Sequence, residues 1–146
     1  MKTASILLAL GLGLSAAAAA GGAEPTTKPM NNANQIDYIE FSASDLPGTK
    51  AFFEQVFGWK FTDYGPDYSS FEDGRITGGF FRSDKRASLV TGTALVVIFH
   101  PRLEEIRQRV LDHGGKITRD IFSFPGGRRF HFTEPSGNEL AVWSDH

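Results

Sequence analysis

Apolar and polar residues alternate from Ile36 to Ser42, which is the pattern of a half-buried β-strand. Successive side chains of a strand point to opposite faces, so Ile39 and Phe41 share one face and Tyr38 and Glu40 share the other. We therefore predict a first strand that packs Ile39 and Phe41 against helices and turns Tyr38 and Glu40 towards an open surface.

A helix is predicted after this strand. Asp45 is a suitable N-cap, Pro47 falls in the first turn, and Gly58 is a typical stop. Apolar residues lie between them at helical spacing: Phe52, Phe53, Val56 and Phe57. Three short strand candidates follow, separated by Gly-Pro and Asp-Gly turn signals: Trp59 to Thr62, Ser69 to Glu72 and Ile76 to Arg82. The first half of the chain is thus predicted to be a βαβββ unit.

The second half repeats this order. It has an apolar strand from Ala94 to Phe99 and a helix that ends at Gly114. The apolar stripe of that helix comprises Leu103, Ile106 and Val110. Gly-Trp-Lys-Phe-Thr at Gly58 returns as Gly-Gly-Lys-Ile-Thr at Gly114, which places the same helix-to-strand corner in both halves. Strand candidates from Arg129 to Thr133 and from Glu139 to Ser144 flank a Pro-Ser-Gly-Asn turn. Two such units are expected to bury one shared core.

An apolar, alanine-rich segment precedes the repeat. Lys2 is the only charged residue before Glu24. This pattern is typical of a secretory signal peptide, which we predict over residues 1–23, and the apolar stretch is shorter than the ~20 residues that span a bilayer. An uncleaved anchor is the alternative reading. Residues 24–35 have the composition of a flexible leader, and 36–146 are predicted to form the domain, in the periplasm or secreted without a stable membrane anchor.

Composition narrows the possible chemistry. The 146 residues suffice for one domain, and 40% of them are hydrophobic, enough for a core. A net charge of −2 provides no field to hold nucleic acid. The absence of cysteine excludes thiol nucleophiles, disulfides and Cys-ligated metals. The sequence also has no nucleophile elbow, phosphate-binding loop or zinc-protease helix motif.

Two segments of the paired βαβββ repeat are distinctive. The first helix contains Ser-Asp-Leu-Pro-Gly-Thr-Lys-Ala-Phe-Phe-Glu-Gln-Val-Phe-Gly-Trp, and the end of the repeat contains Phe-Thr-Glu-Pro-Ser-Gly-Asn-Glu-Leu-Ala-Val-Trp. With these segments the repeat resembles the vicinal oxygen chelate superfamily. That superfamily includes glyoxalase I, bleomycin-resistance proteins and extradiol dioxygenases, and the likeness is greatest to small proteins related to lactoylglutathione lyase. It covers Ile36 to Trp143. It implies an α+β fold in which paired βαβββ modules form a cup-shaped mixed sheet, and it is compatible with a homodimer.

The resemblance also indicates where a metal would bind. Members with known chemistry hold a divalent ion with His and Glu from the first and last strands of each module. The matching positions here are Tyr38, Gly78, Ala94 or Leu95, and Ala141. None of these is a normal ligand, and a catalytic divalent site needs about three. We therefore expect no metal and no other cofactor. A relocated site built from Glu40, Glu139 and His131 is the alternative.

Strand alternation places several further side chains in the expected cup. Aromatic residues there are Tyr38, Phe80 or Phe81, His131 and Trp143, with Glu40, Arg129 and Glu139 as polar groups. Hydrogen bonding within the sheet is an equally good role for His131, and packing is a more common role for Trp143.

Three functions follow from these residues. The first is an exported, metal-free protein that binds a small molecule in its cup. The second is a lyase, isomerase or dioxygenase that uses a relocated metal or the acid–base pair Glu40 and His131. In the third, the cup is a dimer surface.

Overall fold

The computed structural model describes residues 33–146. The predicted signal peptide (1–23) and nearly all of the predicted leader (24–35) lie outside these residues. The first module comprises β1 (Tyr38–Ala43), α1 (Leu46–Phe57), β2 (Lys60–Asp63), β3 (Tyr68–Glu72) and β4 (Thr77–Arg82). A 3-10 turn, Leu89–Thr91, leads to the second module: β5 (Val96–Phe99), α2 (Leu103–Asp112), β6 (Lys116–Phe124), β7 (Gly127–Thr133) and β8 (Glu139–Ser144). The α+β class and the two βαβββ modules are confirmed.

Both modules build the same mixed sheet. The strand order is β1-β4-β3-β2 in the first sheet and β5-β8-β7-β6 in the second. In each sheet the first and last strands of the module pair in parallel, and the remaining pairs are antiparallel. The repeat that the sequence predicts is therefore a repeat of topology. In the described part of the chain, neither helix is long and apolar enough to cross a membrane.

The limits of α1 follow from its sequence. The Asp45 carboxylate accepts a hydrogen bond from the Gly48 amide at 3.0 Å, which satisfies one free donor of the first turn. Gly58 ends the helix with φ at +74°, a left-handed conformation that glycine adopts without strain. The second helix has no such side-chain cap, but Glu104 and Glu105 place negative charge in its first turn.

One hydrophobic core joins the two modules, as predicted. Phe53 of α1 stacks on Trp59, with ring centroids 4.3 Å apart, and packs against Phe80 of β4 at 5.5 Å. Phe52, its neighbour in α1, reaches Phe132 of β7 in the other module, at 5.8 Å. Since α1 contributes to both sheets, neither module buries its apolar face alone.

Each sheet has a face turned towards the helices and a face that carries no helix, which we call the helix-free face. The predicted alternation holds in β8, where Leu140 and Val142 are fully buried in the core. The helix-free face of the first sheet includes Tyr38, Glu40, Tyr68, Gly79 and Phe81. That of the second sheet includes Val97, Phe99, Arg129, His131, Glu139, Ala141 and Trp143.

The strand register corrects two expectations about β4. Gly78 pairs with Ile39 and lies under the Phe71 ring, on the helix side, whereas Gly79 pairs with Glu40 on the helix-free face. The β4 position that matches Ala141 is therefore Gly79. The turn before β4 spans residues 73–76 and the turn before β8 spans 134–138, and this one-residue difference reverses the face that each position occupies.

Phe80 is the second correction. It is fully buried in the core, where its ring stacks on Phe41 with centroids 5.2 Å apart. A ligand on the helix-free face has no access to it. Phe81, its neighbour in the strand, is 41% exposed and carries the aromatic group of β4 on that face.

The turn between β7 and β8 connects the second module to the first. The carboxylate of Glu134 is buried and accepts hydrogen bonds from the backbone amides of Ser136 and Asn138, both at 3.0 Å, and from the Thr49 hydroxyl of α1. The Asn138 side chain in turn donates to the Ser42 carbonyl of β1 at 2.8 Å. These contacts give the Glu-Pro-Ser-Gly-Asn sequence a structural role.

Candidate functional site

The structure brings four of the sequence-predicted site residues together on the helix-free face of the second sheet. Arg129 lies directly across from Trp143 in the β7–β8 pair, and His131 lies across from Ala141. Glu139 approaches His131, with 3.6 Å between its Oε1 atom and the ring Nδ1 atom. Neighbouring strands that place alternate side chains on the same face account for this grouping.

His131 is almost completely buried, with 3% of its surface exposed. Its Nε2 atom has no hydrogen-bond partner among residues 33–146. Burial, followed by the positive charge of Arg129, lowers the pKa of His131 below its ordinary value, although Glu139 acts in the opposite direction. The ring is therefore neutral at pH 7.

Glu139 is held by groups other than arginine. Its Oε2 atom accepts a hydrogen bond from the Leu89 amide at 3.0 Å, and its Oε1 atom accepts one from the Thr118 hydroxyl at 3.4 Å. With the His131 ring beside it, the carboxylate is fixed in place. This arrangement fits the structural role considered for His131, because the carboxylate lies 3.6 Å from the ring Nδ1 atom.

Arg129 lies between aromatic rings. Its guanidinium carbon is 5.1 Å from the centre of the Phe122 ring and 5.4 Å from that of Phe124. The Nε atom is buried without a hydrogen-bond partner among residues 33–146. Within residues 33–146, no carboxylate forms an ion pair with this side chain.

A hollow of about 340 Å³ opens beside this arginine. Its lining comprises Val97, Phe124, Gly126, Arg129 and Trp143. The Trp143 ring meets the Phe99 ring edge-on at 5.2 Å, and Phe99 is 49% exposed. The hollow is therefore apolar on the β5 and β8 side and cationic on the β7 side.

Tyr38 and Glu40 lie in a separate group, on the helix-free face of the first sheet. Tyr68 donates a hydrogen bond to Glu40 at 3.0 Å, so its hydroxyl accepts the proton of Tyr38, 2.5 Å away. Burial, together with these two partners, raises the pKa of Tyr68 above its ordinary value. In the described chain, no hydrogen bond or ion pair joins Glu40 to His131.

A larger cavity, about 820 Å³, lies between the two modules and shares Val97 and Trp143 with the hollow. Ile39 and Phe41 of β1 line one side, and Val96 and Ile98 of β5 line the other. These are side chains of the shared core and its margin. Asp73, Arg75, His100 and Arg109 also border this cavity, and Trp143 is the only sequence-predicted site residue among its lining residues. We therefore place the candidate site in the smaller hollow.

The residues present do not suit a divalent metal. Tyr38, Gly79 and Ala141 occupy the helix-free face at three of the positions matched to ligands, and two of them have no donor atom in their side chains. The alternative set also fails, because Glu40 does not join His131 and Glu139. No three His, Cys, Asp or Glu side chains among residues 33–146 form a group that could hold an ion. A pair of donors falls short of the usual three.

Several residues of the candidate site were missed by the sequence reasoning: Val97, Phe99, Arg119, Phe122 and Phe124. The last three belong to β6, a strand that the sequence analysis left unassigned beyond its first residues. Arg119 pairs with His131 and Phe122 with Arg129, and register shifts between them put both on the same face. Simple alternation along β6 would assign Arg119 and Phe122 to opposite faces, since residues three apart in a regular strand point in opposite directions.

Comparison with known proteins agrees with the architecture. The family model described as "Glyoxalase/Bleomycin resistance protein/Dioxygenase superfamily" matches residues 35–142. Curated proteins gave no match. Among solved structures, a family enzyme from Burkholderia phytofirmans PsJN is similar, with a TM-score of 0.64, 12% identity, and coverage of 75% of this chain and 98% of the other.

Two further solved structures are similar at comparable levels. The fosfomycin resistance protein FosX from Listeria monocytogenes has a TM-score of 0.64 and 14% identity, over 75% of this chain and 92% of that one. Lactoylglutathione lyase from Agrobacterium tumefaciens has a TM-score of 0.58 and 18% identity, over 76% and 93%. At these identities the likeness concerns the fold alone.

Proposed function

This chain belongs to the glyoxalase/bleomycin resistance protein/dioxygenase superfamily, and on that premise we propose that it binds a small molecule on the helix-free face of its second sheet, without the divalent metal of its relatives. The observation that supports this most is the hollow of about 340 Å³ beside Arg129 and Trp143. Small-molecule sites are commonly ~300–1,000 Å³, mainly apolar, with a few fixed polar groups.

The apolar surface around the hollow also favours a ligand. Val97 and Phe99 of β5 are 40% and 49% exposed, and they lie next to Trp143 on the same face. Contiguous exposed apolar groups are unusual on a monomer unless something covers them. An aromatic or amphipathic molecule in the hollow covers them and contacts Phe124 at the same time.

Acid–base catalysis is the alternative function, and one observation favours it. Glu139 orients the His131 ring from the Nδ1 side, which leaves Nε2 as the basic atom of a neutral imidazole. The pair differs from the predicted Glu40 and His131, because Glu40 lies in the Tyr68 group. Phe122, whose ring centre is 5.7 Å from that of His131, covers the ring. Catalysis therefore requires this side chain to move.

Ligand binding can be tested with naphthamide, an uncharged aromatic probe, followed by calorimetry and thermal unfolding. We expect saturable binding that raises the unfolding temperature, since a ligand bound only to the folded state adds stability. Replacing Trp143 by Ala removes a wall of the hollow, and we expect about tenfold weaker binding. Phe81→Ala is the matched control, because it removes an exposed aromatic ring from the other sheet and should leave binding unchanged.

Metal content is measured on the same preparation, purified without chelator. The proposal expects far less than one equivalent of any divalent ion. One full equivalent that disappears in His131→Ala contradicts the metal-free part. Binding that is equally lost in Trp143→Ala and Phe81→Ala places the site elsewhere. If no probe binds and Phe99→Ala dissociates a dimer, the face is a subunit interface, which is the third reading of the sequence.

Export remains a prediction from residues 1–23 and rests on sequence alone. Recovery of the chain in the periplasmic or secreted fraction, with its amino terminus near residue 24, is the expected result.

A further inference from the structure

We propose that the ligand of the second sheet is an aromatic monocarboxylate, bound with its ring against Trp143 and Phe124 and its carboxylate on Arg129. This inference rests on the proposed binding function and specifies its ligand class. It follows from the charge of the hollow, from the terminal nitrogens of Arg129, which form no hydrogen bond within residues 33–146, and from the position of the aromatic rings.

The charges around the hollow do not balance. Two guanidinium groups lie on this face, those of Arg119 and Arg129. Arg119 pairs with His131. Arg129 pairs with Phe122 on one side and with Trp143 on the other, and paired residues point to the same face. Among residues 33–146, Glu139 is the only carboxylate that pairs with a basic side chain of this face. With His131 neutral, one positive charge is left uncompensated among these groups. A partly enclosed cation without a counter-charge is costly, so a monoanion complements this surface.

The geometry of Arg129 selects a planar anion. Its Nε atom is buried, and its guanidinium carbon lies 5.1 Å from the centre of the Phe122 ring and 5.4 Å from that of Phe124. The two terminal nitrogens form the remaining edge of the fork, and no hydrogen bond within residues 33–146 involves them. Paired N–H groups of a guanidinium match the two oxygens of a carboxylate. Lysine in the same place would provide a point charge without this directional preference.

The adjoining wall is aromatic. Trp143 lies directly across from Arg129 in the sheet, and the rings of Phe99 and Phe124 lie 5.2 and 6.3 Å from the Trp143 ring. A ligand that places a carboxylate on Arg129 therefore places its next few atoms against Trp143. Aromatic rings pack favourably there in edge-to-face or offset arrangements.

The neighbouring Arg128 provides an internal contrast. It precedes Arg129 in β7 and points to the other side of the sheet, where it forms an ion pair with Glu104 at 2.5 Å. That contact lowers the pKa of Glu104 and raises the pKa of Arg128. The two adjacent arginines thus differ: within the described part of the chain, Arg128 is paired with a carboxylate and Arg129 is not.

The test compares naphthoate with naphthamide, which have the same rings and differ in charge. We expect naphthoate to bind about ten- to a hundredfold more tightly at low salt, the usual advantage of a charge-assisted pair over a neutral one. Arg129→Gln should reduce that ratio to about one. Arg128→Gln should preserve the ratio, although it removes the same formal charge from the same strand. Arg119→Gln, on an exposed position, should reduce the ratio only in part.

The outcomes separate the two proposals. Equal binding of both probes to the unaltered protein overturns the carboxylate inference and leaves the binding function intact. Loss of the ratio in Arg128→Gln to the same extent as in Arg129→Gln also overturns it, because it shows a general effect of charge. Binding of neither probe contradicts the binding function itself. If Arg129→Gln fails to fold, the partial loss expected in Arg119→Gln decides, and an unchanged ratio there contradicts the inference.

Discussion

The helix-free faces of the two sheets are built on the same strand order but carry different side chains. In the first sheet, β4 contributes Gly79, and the surrounding Tyr38, Tyr68 and Glu40 form a neutral-to-acidic hydrogen-bonded chain near solvent. In the second sheet, Ala141 occupies the matching place and is fully buried. Repetition of the backbone therefore does not carry a repeated site, and function has to be assigned one face at a time.

The second face differs because its side chains are larger and lie closer together. Arginine and aromatic rings of β6 and β7 cover His131, leaving it 3% exposed, whereas Tyr38 at the open edge of the first sheet is 43% exposed. A buried imidazole, and a cation without an ion-pair partner among residues 33–146, make this face the better candidate for a functional site. The first face supports the fold with a hydrogen-bonded network of its own.

The largest effect that tests this comparison concerns adjacent glycines of β4. A Cβ atom on Gly78 would lie 2.2 Å from the Phe71 ring and 2.3 Å from the Ile39 carbonyl oxygen, in the packed core. We expect Gly78→Ala to lower the free energy of unfolding by about 3 kcal/mol, a large cost of overpacking. Chemical denaturation provides the measurement.

Gly79→Ala is the matched control on the other face. Its Cβ atom would meet the Tyr68 hydroxyl at 2.1 Å, the far end of a side chain that can move outwards. The expected cost is about 1 kcal/mol, the value of a displaced hydrogen bond. Equal costs for the two variants would show that the first helix-free face is packed as tightly as the core, against the open character assigned to that face here.

The next effect is a pH dependence that originates in the second face. Burial, assisted by the charges of Arg129 and Arg119 and opposed by Glu139, places the pKa of folded His131 below that of the unfolded chain. Below pH ~6.5 the unfolded state then binds the extra proton, so stability falls on acidification, by at most about 1.4 kcal/mol per pH unit for one proton. Above that range the contribution of this group is constant.

Urea unfolding from pH 7.5 to pH 5 measures this slope. His131→Gln should flatten it, and the matched variant His113→Gln, at the C-cap of α2, should keep the slope of the unaltered protein. A slope that is the same in all three proteins assigns the acid sensitivity to other groups and leaves the burial of His131 without an energetic consequence.

Much of the fold was accessible from the sequence because local signals agreed with one another. The N-cap Asp45, the stop at Gly58 and the alternation around Tyr38 each specify a backbone conformation within a few residues. Local signals did not predict which face Gly79 occupies, because the turn before β8 is one residue longer than the turn before β4, and this difference reverses the face. Arg119 and Phe122 share a face only through shifts in the β6 register, which depend on pairing with β7.

The same reasoning explains which parts of the site were found. Arg129, His131 and Trp143 lie in regular strands, where period-two alternation assigns faces correctly. The separation of Glu40 from His131 depends on how two sheets are placed in space, and no short stretch of sequence encodes that placement. Side-chain faces were therefore predictable in regular strands of correct register, whereas the placement of one sheet relative to the other was not predictable.

The smallest expected effect tests whether the two faces work separately. Tyr68→Phe removes the central hydroxyl between Tyr38 and Glu40, and we expect a loss of about 0.5–1 kcal/mol of stability, since the group lies close to solvent. Tyr64→Phe, at a position that is 65% exposed, should cost nothing measurable. Because the Tyr68 group shares no hydrogen bond with the second face in the described chain, naphthoate should bind both variants as it binds the unaltered protein. Weaker binding by tenfold or more in Tyr68→Phe alone would mean that both sheets contribute to one site, and the ligand would then be recognised by the first module as well as the second.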